Sequence, residues 1–245
     1  MPISVIVPAR NEEKNINAVI EDLKRIPVVD EVIVVEGNST DETWKVAQSA
    51  QSDNAGFVKA IQQDGKNKFN AVLCGIAIAT NDHIMIWDAD NTVSIPNQIE
   101  LMALAENDPS LLWTGNRLRG SRDKGAMRFF NLVGNHLFSI VWTPFTTMRK
   151  IDTLCGSKIF PRDLLDSCPR DVINNDPFGD FSILAAAFHK GVPVRSLPVK
   201  YLARTYGNTN IHRWRHGFQL LYIFLLFLRS LVSPGRNNKS TQARR

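Results

Sequence analysis

Apolar residues recur along the first half of the chain in two alternating periods. Short, nearly unbroken apolar runs at residues 3–7, 31–35, 57–60 and 83–87 have the length and β-branched content of strands. Between them, apolar residues fall at helical spacing: from about Asn11, over 43–52, over 67–79 and after Pro96. Glu12 and Glu13 fall in the first turn of the first such helix, where the peptide dipoles favour acids. Strands alternating with helices predict an α/β domain with parallel strands and crossover helices. The second half is less regular. Residues 111–114 and 192–201 read as strands, and 124–142 and 178–190 as helices. No internal repeat or low-complexity linker divides the chain. The pattern predicts one domain over 1–210, an apolar helix over 211–232 and a disordered basic tail over 233–245.

Composition bounds this picture. A chain of 245 residues with 44% hydrophobic content can bury one sizeable core, and 22% charged residues argue against wholesale disorder. The three cysteines, Cys74, Cys155 and Cys168, match no zinc spacing and are odd in number, so they read as reduced thiols in the cytoplasm. The opening segment has neither a basic start nor a long apolar stretch and reads as a first strand rather than a secretory leader. The net charge of +5 conceals an asymmetry. From Phe181 to Arg245 there are 11 Lys and Arg and no acid, which leaves 18 basic against 24 acidic residues before it. An acidic body with a basic last quarter predicts an anionic partner. Nucleic acid is disfavoured because no binding motif accompanies the charge.

The strongest local chemistry is Ile84-Met85-Ile86-Trp87-Asp88-Ala89-Asp90, two carboxylates leaving the end of an apolar strand. Ligands of open parallel sheets bind at the carboxyl ends of strands. A carboxylate pair there suits a hard divalent cation that also bridges phosphates. A plain exposed turn fits the same two residues. The first strand, however, ends in Val7-Pro8-Ala9-Arg10-Asn11-Glu12-Glu13 and the second in Val35-Glu36-Gly37-Asn38-Ser39-Thr40-Asp41. Three strands thus end in ligand-capable segments, although Ser39 and Asp41 also suit helix caps.

These segments occur in order with Gly65-Lys66-Asn67-Lys68, Gly115-Asn116-Arg117, Asp152-Thr153-Leu154-Cys155-Gly156-Ser157-Lys158 and Arg204-Thr205-Tyr206-Gly207-Asn208-Thr209. In that order the chain resembles family 2 glycosyltransferases over residues 2 to about 216. Within the family it is similar to the dolichol-phosphate mannose synthase group, which includes bacterial polyprenyl-phosphate hexosyltransferases. The resemblance implies a single Rossmann-like glycosyltransferase-A domain with a mostly parallel central sheet and a C-terminal amphipathic helix. It implies that Pro8, Arg10, Glu12, Glu36, Lys66 and Asp88 bind a nucleotide-sugar such as GDP-mannose or a UDP-sugar. It implies that Asp88 and Asp90 hold Mg2+ or Mn2+, with Asp90 the more direct ligand, and that Arg117, Arg128 and Arg204 handle the diphosphate and an acceptor phosphate. Three positions depart from the family pattern. Glu36-Gly37-Asn38 replaces two acids and a glycine, Thr92 stands where a Gln often assists the metal, and Asn210 stands where a Lys often contacts phosphate.

The acceptor implied by that group is a polyprenyl phosphate, already ionised and in need of positioning rather than a strong base. A hydroxyl acceptor requires a base, for which Asp180 is the candidate; Asp180 also suits a helix N-terminus. Arg119 and Arg122 read as solvated charges. Leu220 to Leu228 is an unbroken run of nine apolar residues flanked by Arg213, Arg215 and Arg229. It is shorter than the roughly 20 residues of a spanning helix and suits an amphipathic helix on an anionic membrane surface. Burial against the domain, or against a second copy in a homodimer, is the alternative. The expectation is an inverting, metal-dependent hexosyltransferase, peripheral on the cytoplasmic membrane face. A hydroxyl-acceptor enzyme and a non-catalytic nucleotide-sugar-binding protein are its rivals.

Overall fold

The computed structural model describes residues 1–127, 129–204, 206 and 213–232. The first half builds four strands and four helices in strict alternation. These are β1 (Ile3–Ala9), α1 (Ile16–Lys24), β2 (Val29–Glu36), α2 (Thr43–Asp53), β3 (Val58–Gln62), α3 (Asn67–Ile78), β4 (His83–Ile86) and α4 (Ile95–Asn107). The second half adds β5 (Leu112–Asn116), α5 (Phe129–Trp142), β6 (Lys158–Pro161), α6 (Arg170–Ile173), α7 (Asp180–Lys190), β7 (Val194–Pro198) and α8 (Arg213–Val232). One seven-stranded sheet results, in the order β3-β2-β1-β4-β6-β5-β7. Every neighbouring pair is parallel except those made by β6, which runs antiparallel to β4 and β5.

The unbroken apolar runs follow from burial on both faces. Val5, Val7, Val32, Val34, Met85 and Trp87 point into a core under α1, α2 and α4. Ile6, Ile33, Val35, Ile84, Ile86 and Phe160 point into a second core with α3, α5, α7 and α8. In α1 the buried residues Ile16, Val19, Ile20 and Leu23 keep the spacing of one helical face. Gly75 of α3 lies so close to β1 that a Cβ there would come within 2.7 Å of Ile6.

Two expected boundaries move. The first helix starts at Ile16, not near Asn11, because Asn11 adopts a left-handed φ of 57° that ends the strand in a tight turn. The helix expected over 124–142 occupies Phe129–Trp142, preceded by a turn through Gly125 at φ 82°. Left-handed asparagines recur just past β2 at Asn38, past β3 at Asn67 and past β4 at Asn91. Asparagine tolerates this region better than other side chains with a Cβ, so β1, β2 and β4 each end in a sharp turn at one edge of the sheet, and Asn67 turns the chain into α3 at that edge. β6 was not expected at all. Its four residues carry too little periodicity to be read as a strand, and pairing with β4 and β5 forms it.

The C-terminal helix is longer than its apolar run. Residues 215–232 have a mean hydropathy of 1.2, long and apolar enough by length and composition to cross a membrane. One face is nevertheless docked: Leu220, Ile223, Phe224 and Phe227 are buried, and Phe227 stacks on Trp142 of α5 at 4.7 Å. The basic tail expected over 233–245 lies outside the described residues.

At the amino edge of the sheet, Glu31 is nearly fully buried and its carboxylate gathers four donors. These are Ser4 Oγ at 2.5 Å, Lys59 Nζ at 2.6 Å, Thr80 N at 2.6 Å and Thr80 Oγ1 at 2.7 Å. Burial pushes the carboxyl up, but Lys59, Ser4 and Thr80 outweigh it and hold the pKa at about 2, below the ordinary 4.5. A depressed carboxyl contributes stability that is complete above 4.5 and is lost as pH falls toward 2. Glu31→Gln is therefore expected to lower urea-unfolding stability at neutral pH by about 1–3 kcal/mol. The gap to wild type should close as pH falls through that window; a gap constant down to pH about 3 contradicts the assignment.

Candidate functional site

Three strand ends and one strand start meet at the opposite edge. β1, β2 and β4 end there, and antiparallel β6 begins there, with Lys158 paired to Ile86 and Thr114. They border a cavity of about 360 Å³ whose wall includes Pro8, Arg10, Glu12, Lys68, Asp88, Asp90, Arg117, Asp180 and Arg204.

The loops after β1 and β2 lace together. Asn11 donates its N–H to Ser39 Oγ at 3.0 Å, and its Oδ1 accepts from Thr40 N at 2.8 Å. Glu12 N donates to Thr43 Oγ1 at 2.9 Å, and Asp41 accepts from Thr43 N, the first residue of α2, at 3.0 Å. Ser39 and Asp41 thus act as loop and helix-end acceptors. Pro8, Arg10 and Glu12 stand on the wall as the sequence suggests. Glu36 does not: it is buried beneath the loop, accepting from Ser39 N at 2.5 Å and Gln62 Nε2 at 3.0 Å. Lys66 is exposed and off the wall.

The carboxylate pair is held tightly. After β4, Trp87 Nε1 donates to Asn91 Oδ1 at 2.7 Å, and Asn91 turns at φ 48°. This turn aims Asp88 and Asp90 into the cavity. Asp90 Oδ1 accepts from Thr92 N at 3.1 Å and Thr92 Oγ1 at 2.9 Å. Thr92, a departure from the family pattern, thereby fixes Asp90. Asp90 Oδ2 accepts from Arg204 Nη2 at 2.5 Å, and Arg204 Nη1 lies 4.0 Å from Glu12. Asp88 is paired with Lys68 of α3, the cation that sequence reasoning passed over in favour of Lys66. Burial pushes the Asp88 carboxyl up, but Lys68, with Arg117 and Lys158 beyond, holds it below the usual range. Burial and the nearby Asp90 and Asp88 raise Glu12, against its bond from Asn15. Gly156 closes the floor: a Cβ there would meet Asp88 Oδ2 at 2.1 Å.

Arg117 forms a two-pronged pair with fully buried Asp152, Nε to Oδ2 at 2.6 Å and Nη2 to Oδ1 at 3.0 Å. Asn135 donates to the same carboxylate at 2.6 Å, and the Tyr201 ring lies 5.0 Å from the guanidinium. Burial pushes the Asp152 carboxyl up, and Arg117 outweighs it. Arg119 and Arg122 are exposed and off the wall, and Arg128 lies outside the described residues.

Asp180 opens α7 but does not cap it. That work falls to buried Asp176, which accepts from Phe178 N at 3.0 Å, Phe181 N at 3.1 Å and Ser182 N at 2.9 Å. Asp180 is left facing the cavity and pairs with the ammonium of Lys158, which also donates to the Cys155 carbonyl. Lys158 is 1% exposed. Only its presence in the Asp152 to Lys158 segment hinted at this role. His216 of α8 also reaches the wall, edge-on to Phe178 at 5.0 Å.

Residues 4–160 match the profile described as Glycosyl transferase family 2. The chain is 26% identical over 247 residues to the human "Dolichyl-phosphate beta-glucosyltransferase", covering 92% of this chain and 63% of that protein. It is 34% identical over 160 residues to the Staphylococcus aureus "4,4'-diaponeurosporenoate glycosyltransferase", covering 64% of this chain and 38% of that one. The chain therefore spans under two thirds of the length of these relatives. Among solved structures, glucosyl-3-phosphoglycerate synthase from Mycobacterium tuberculosis shares the fold. Its complex with Mg2+ and UDP has a TM-score of 0.69 at 18% identity, over 92% of this chain and 79% of that one. Its complex with Mn2+, UDP and phosphoglyceric acid gives 0.68 at 20% identity, over 92% and 78%. With the profile covering well over half its length, and with its strand-end carboxylates placed in one cleft, the chain is a family 2 glycosyltransferase on a glycosyltransferase-A fold.

Proposed function

We propose that this chain transfers a hexose, with inversion, from a nucleoside-diphosphate sugar to a polyprenyl phosphate at the cytoplasmic face of a membrane. The observation that carries the reading is a cleft holding Asp88 and Asp90 that is bordered by α8, an apolar surface helix.

The donor side follows from charge. Lys68 and Arg204 stand beside the carboxylates, where a diphosphate needs donors, and a guanidinium fork suits phosphate oxygens. Among the described residues no group of three or more His, Cys, Asp or Glu could hold a metal by itself. Two hard carboxylates fit Mg2+ or Mn2+ that takes its other ligands from the diphosphate. When bound, such a cation neutralises charge on the departing nucleoside diphosphate. The wall from Pro8 to Arg10 and Gly37 is left for the nucleoside. UDP-glucose is the first donor to test, since the dolichyl-phosphate relatives are named glucosyltransferases and the fold neighbour holds UDP.

The acceptor side follows from the helices. Phe130, Leu137 and Ile140 on α5 and Phe218, Leu221, Tyr222 and Leu225 on α8 are exposed. Each set keeps roughly helical spacing, and Phe227 stacking on Trp142 joins the two helices. Such faces favour the interface of a bilayer, where a lipid presents its phosphate. Arg117 and His216 lie on the wall on this side. The three cysteines are free thiols, in keeping with the cytoplasmic face. A second reading, a hydroxyl acceptor with Asp180 as base, is supported by the place of Asp180 on the wall.

Three outcomes are expected. With UDP-glucose or GDP-mannose, Mn2+ and a short polyprenyl phosphate, the wild type transfers sugar, and Asp90→Ala lowers kcat by about 100-fold or more. No transfer from any donor sinks the acceptor assignment. Asp180→Asn, which keeps an oxygen for Lys158, retains most turnover if the acceptor is a phosphate; a severe loss with donor binding and thermal unfolding both unchanged favours the hydroxyl reading. Leu137→Glu with Leu225→Glu reduces sedimentation with anionic liposomes by about tenfold while transfer to a short, soluble acceptor persists; unchanged sedimentation removes these faces from the membrane contact.

A further inference from the structure

The two carboxylates are not equally ready for a cation. Asp90 Oδ1 is taken by Thr92 N at 3.1 Å and Thr92 Oγ1 at 2.9 Å, and Oδ2 by Arg204 Nη2 at 2.5 Å. Both oxygens are engaged, and Asp90 is only 9% exposed in this arrangement. We propose that Arg204 acts as an internal counter-ion that occupies the cation-binding face of Asp90 and yields it when a nucleoside diphosphate arrives. This rests on the donor-site reading above and adds its regulation.

Several features support an exchange rather than a fixed pair. Lys68, the partner of Asp88, stands on the regular helix α3 at the cavity wall, and its charge is favoured further by Asp180 and Asp90. Arg204, exposed to a similar degree, instead follows β7 on a segment without regular structure. It reaches the loop after β4 from 114 residues away, with Glu12 on its other side at 4.0 Å. A long side chain on such a segment can reach more than one anionic partner. A diphosphate offers it the stronger one, with more oxygens and a two-pronged fit. Once Arg204 moves, Asp90 Oδ2 faces the cavity without its ion-pair partner, and a divalent cation can take that place. A bare cation must instead displace the guanidinium unaided. Nor does the described protein bring a third ligating acid, histidine or cysteine to reward it. Cation and nucleotide then bind as a coupled pair, each tightening the other by the same factor.

Bridging of a cation to a diphosphate produces coupling by itself, so the diagnostic quantity is cation affinity without nucleotide. Mn2+ binding to the full chain, followed by electron paramagnetic resonance, is measured for wild type, Arg204→Gln and Arg204→Lys, alone and with saturating UDP or GDP. Arg204→Gln is expected to bind Mn2+ alone about 3- to 10-fold more tightly than wild type, to bind nucleotide more weakly, and to show a smaller coupling factor. Arg204→Lys, which keeps the charge without the fork, is expected to lie between. Thermal unfolding checks that the variants are folded, and a tighter site in Arg204→Gln is itself incompatible with misfolding. Unchanged or weaker Mn2+ binding in folded Arg204→Gln overturns the proposal while leaving the donor site standing. If wild type binds neither nucleotide with Mn2+, the donor-site reading falls and the counter-ion role falls with it.

Discussion

Charge compensation across the carboxyl edge of the sheet is the constraint on which this cleft depends. Of the carboxylates that face or underlie the cavity, four are each paired with a cation from a distant segment: Asp88 with Lys68, Asp90 with Arg204, Asp152 with Arg117 and Asp180 with Lys158. A carboxylate buried without a partner is costly, and removing one member of a buried pair leaves the other charge stranded. The pairs also act as ties. They join α3 to the loop after β4, the end of β5 to the loop before β6, β6 to α7, and the segment after β7 back to β4. The cleft is therefore assembled without a ligand, and under the proposed reading an incoming diphosphate or cation would rearrange charges already opposed.

Antiparallel β6 makes this possible. A parallel strand in its place would put its first residue at the far edge. Running backward, β6 starts at the cleft, where Lys158 meets Asp180 and the Cys155 carbonyl, and where Gly156 leaves room for the Asp88 carboxylate. The half of the chain that looks least regular thus supplies the side of the cleft proposed for the acceptor. On that side α5 and α8 turn one face inward through Trp142 and Phe227 and leave the other apolar and exposed.

The half of the cleft with the carboxylate pair was clearer in the sequence than the half with β6, α5 and α8, for a physical reason. Strands buried on both faces announce themselves as apolar runs, and the acids that follow them stand out, as Asp88 and Asp90 do after Ile84 to Trp87. The partners of those acids do not stand out. Lys66 lies just before α3 in extended backbone and Lys68 in its first turn, and only the way the chain enters the helix decides that Lys68 faces the cavity. Lys158 reads as one lysine in a four-residue apolar segment, and its burial is set by β4 and β5 on either side. Glu36 keeps the expected place at the end of β2, but its side chain is drawn beneath the loop by Ser39 and Gln62. His216 adjoins the basic flank of the apolar run and carries no signal of its own, because its place on the wall depends on how α8 docks.

The account turns on whether Asp88 and Asp90 share a divalent cation with the diphosphate of the donor. The most direct measurement is the anomalous scattering of Mn2+ in crystals grown with UDP or GDP. One strong peak is predicted between the two carboxylates and the diphosphate, with the Arg204 guanidinium moved from Asp90 onto phosphate oxygens. A nucleotide bound in the cleft with no cation within coordinating distance of either carboxylate, or with the cation held elsewhere, would contradict it.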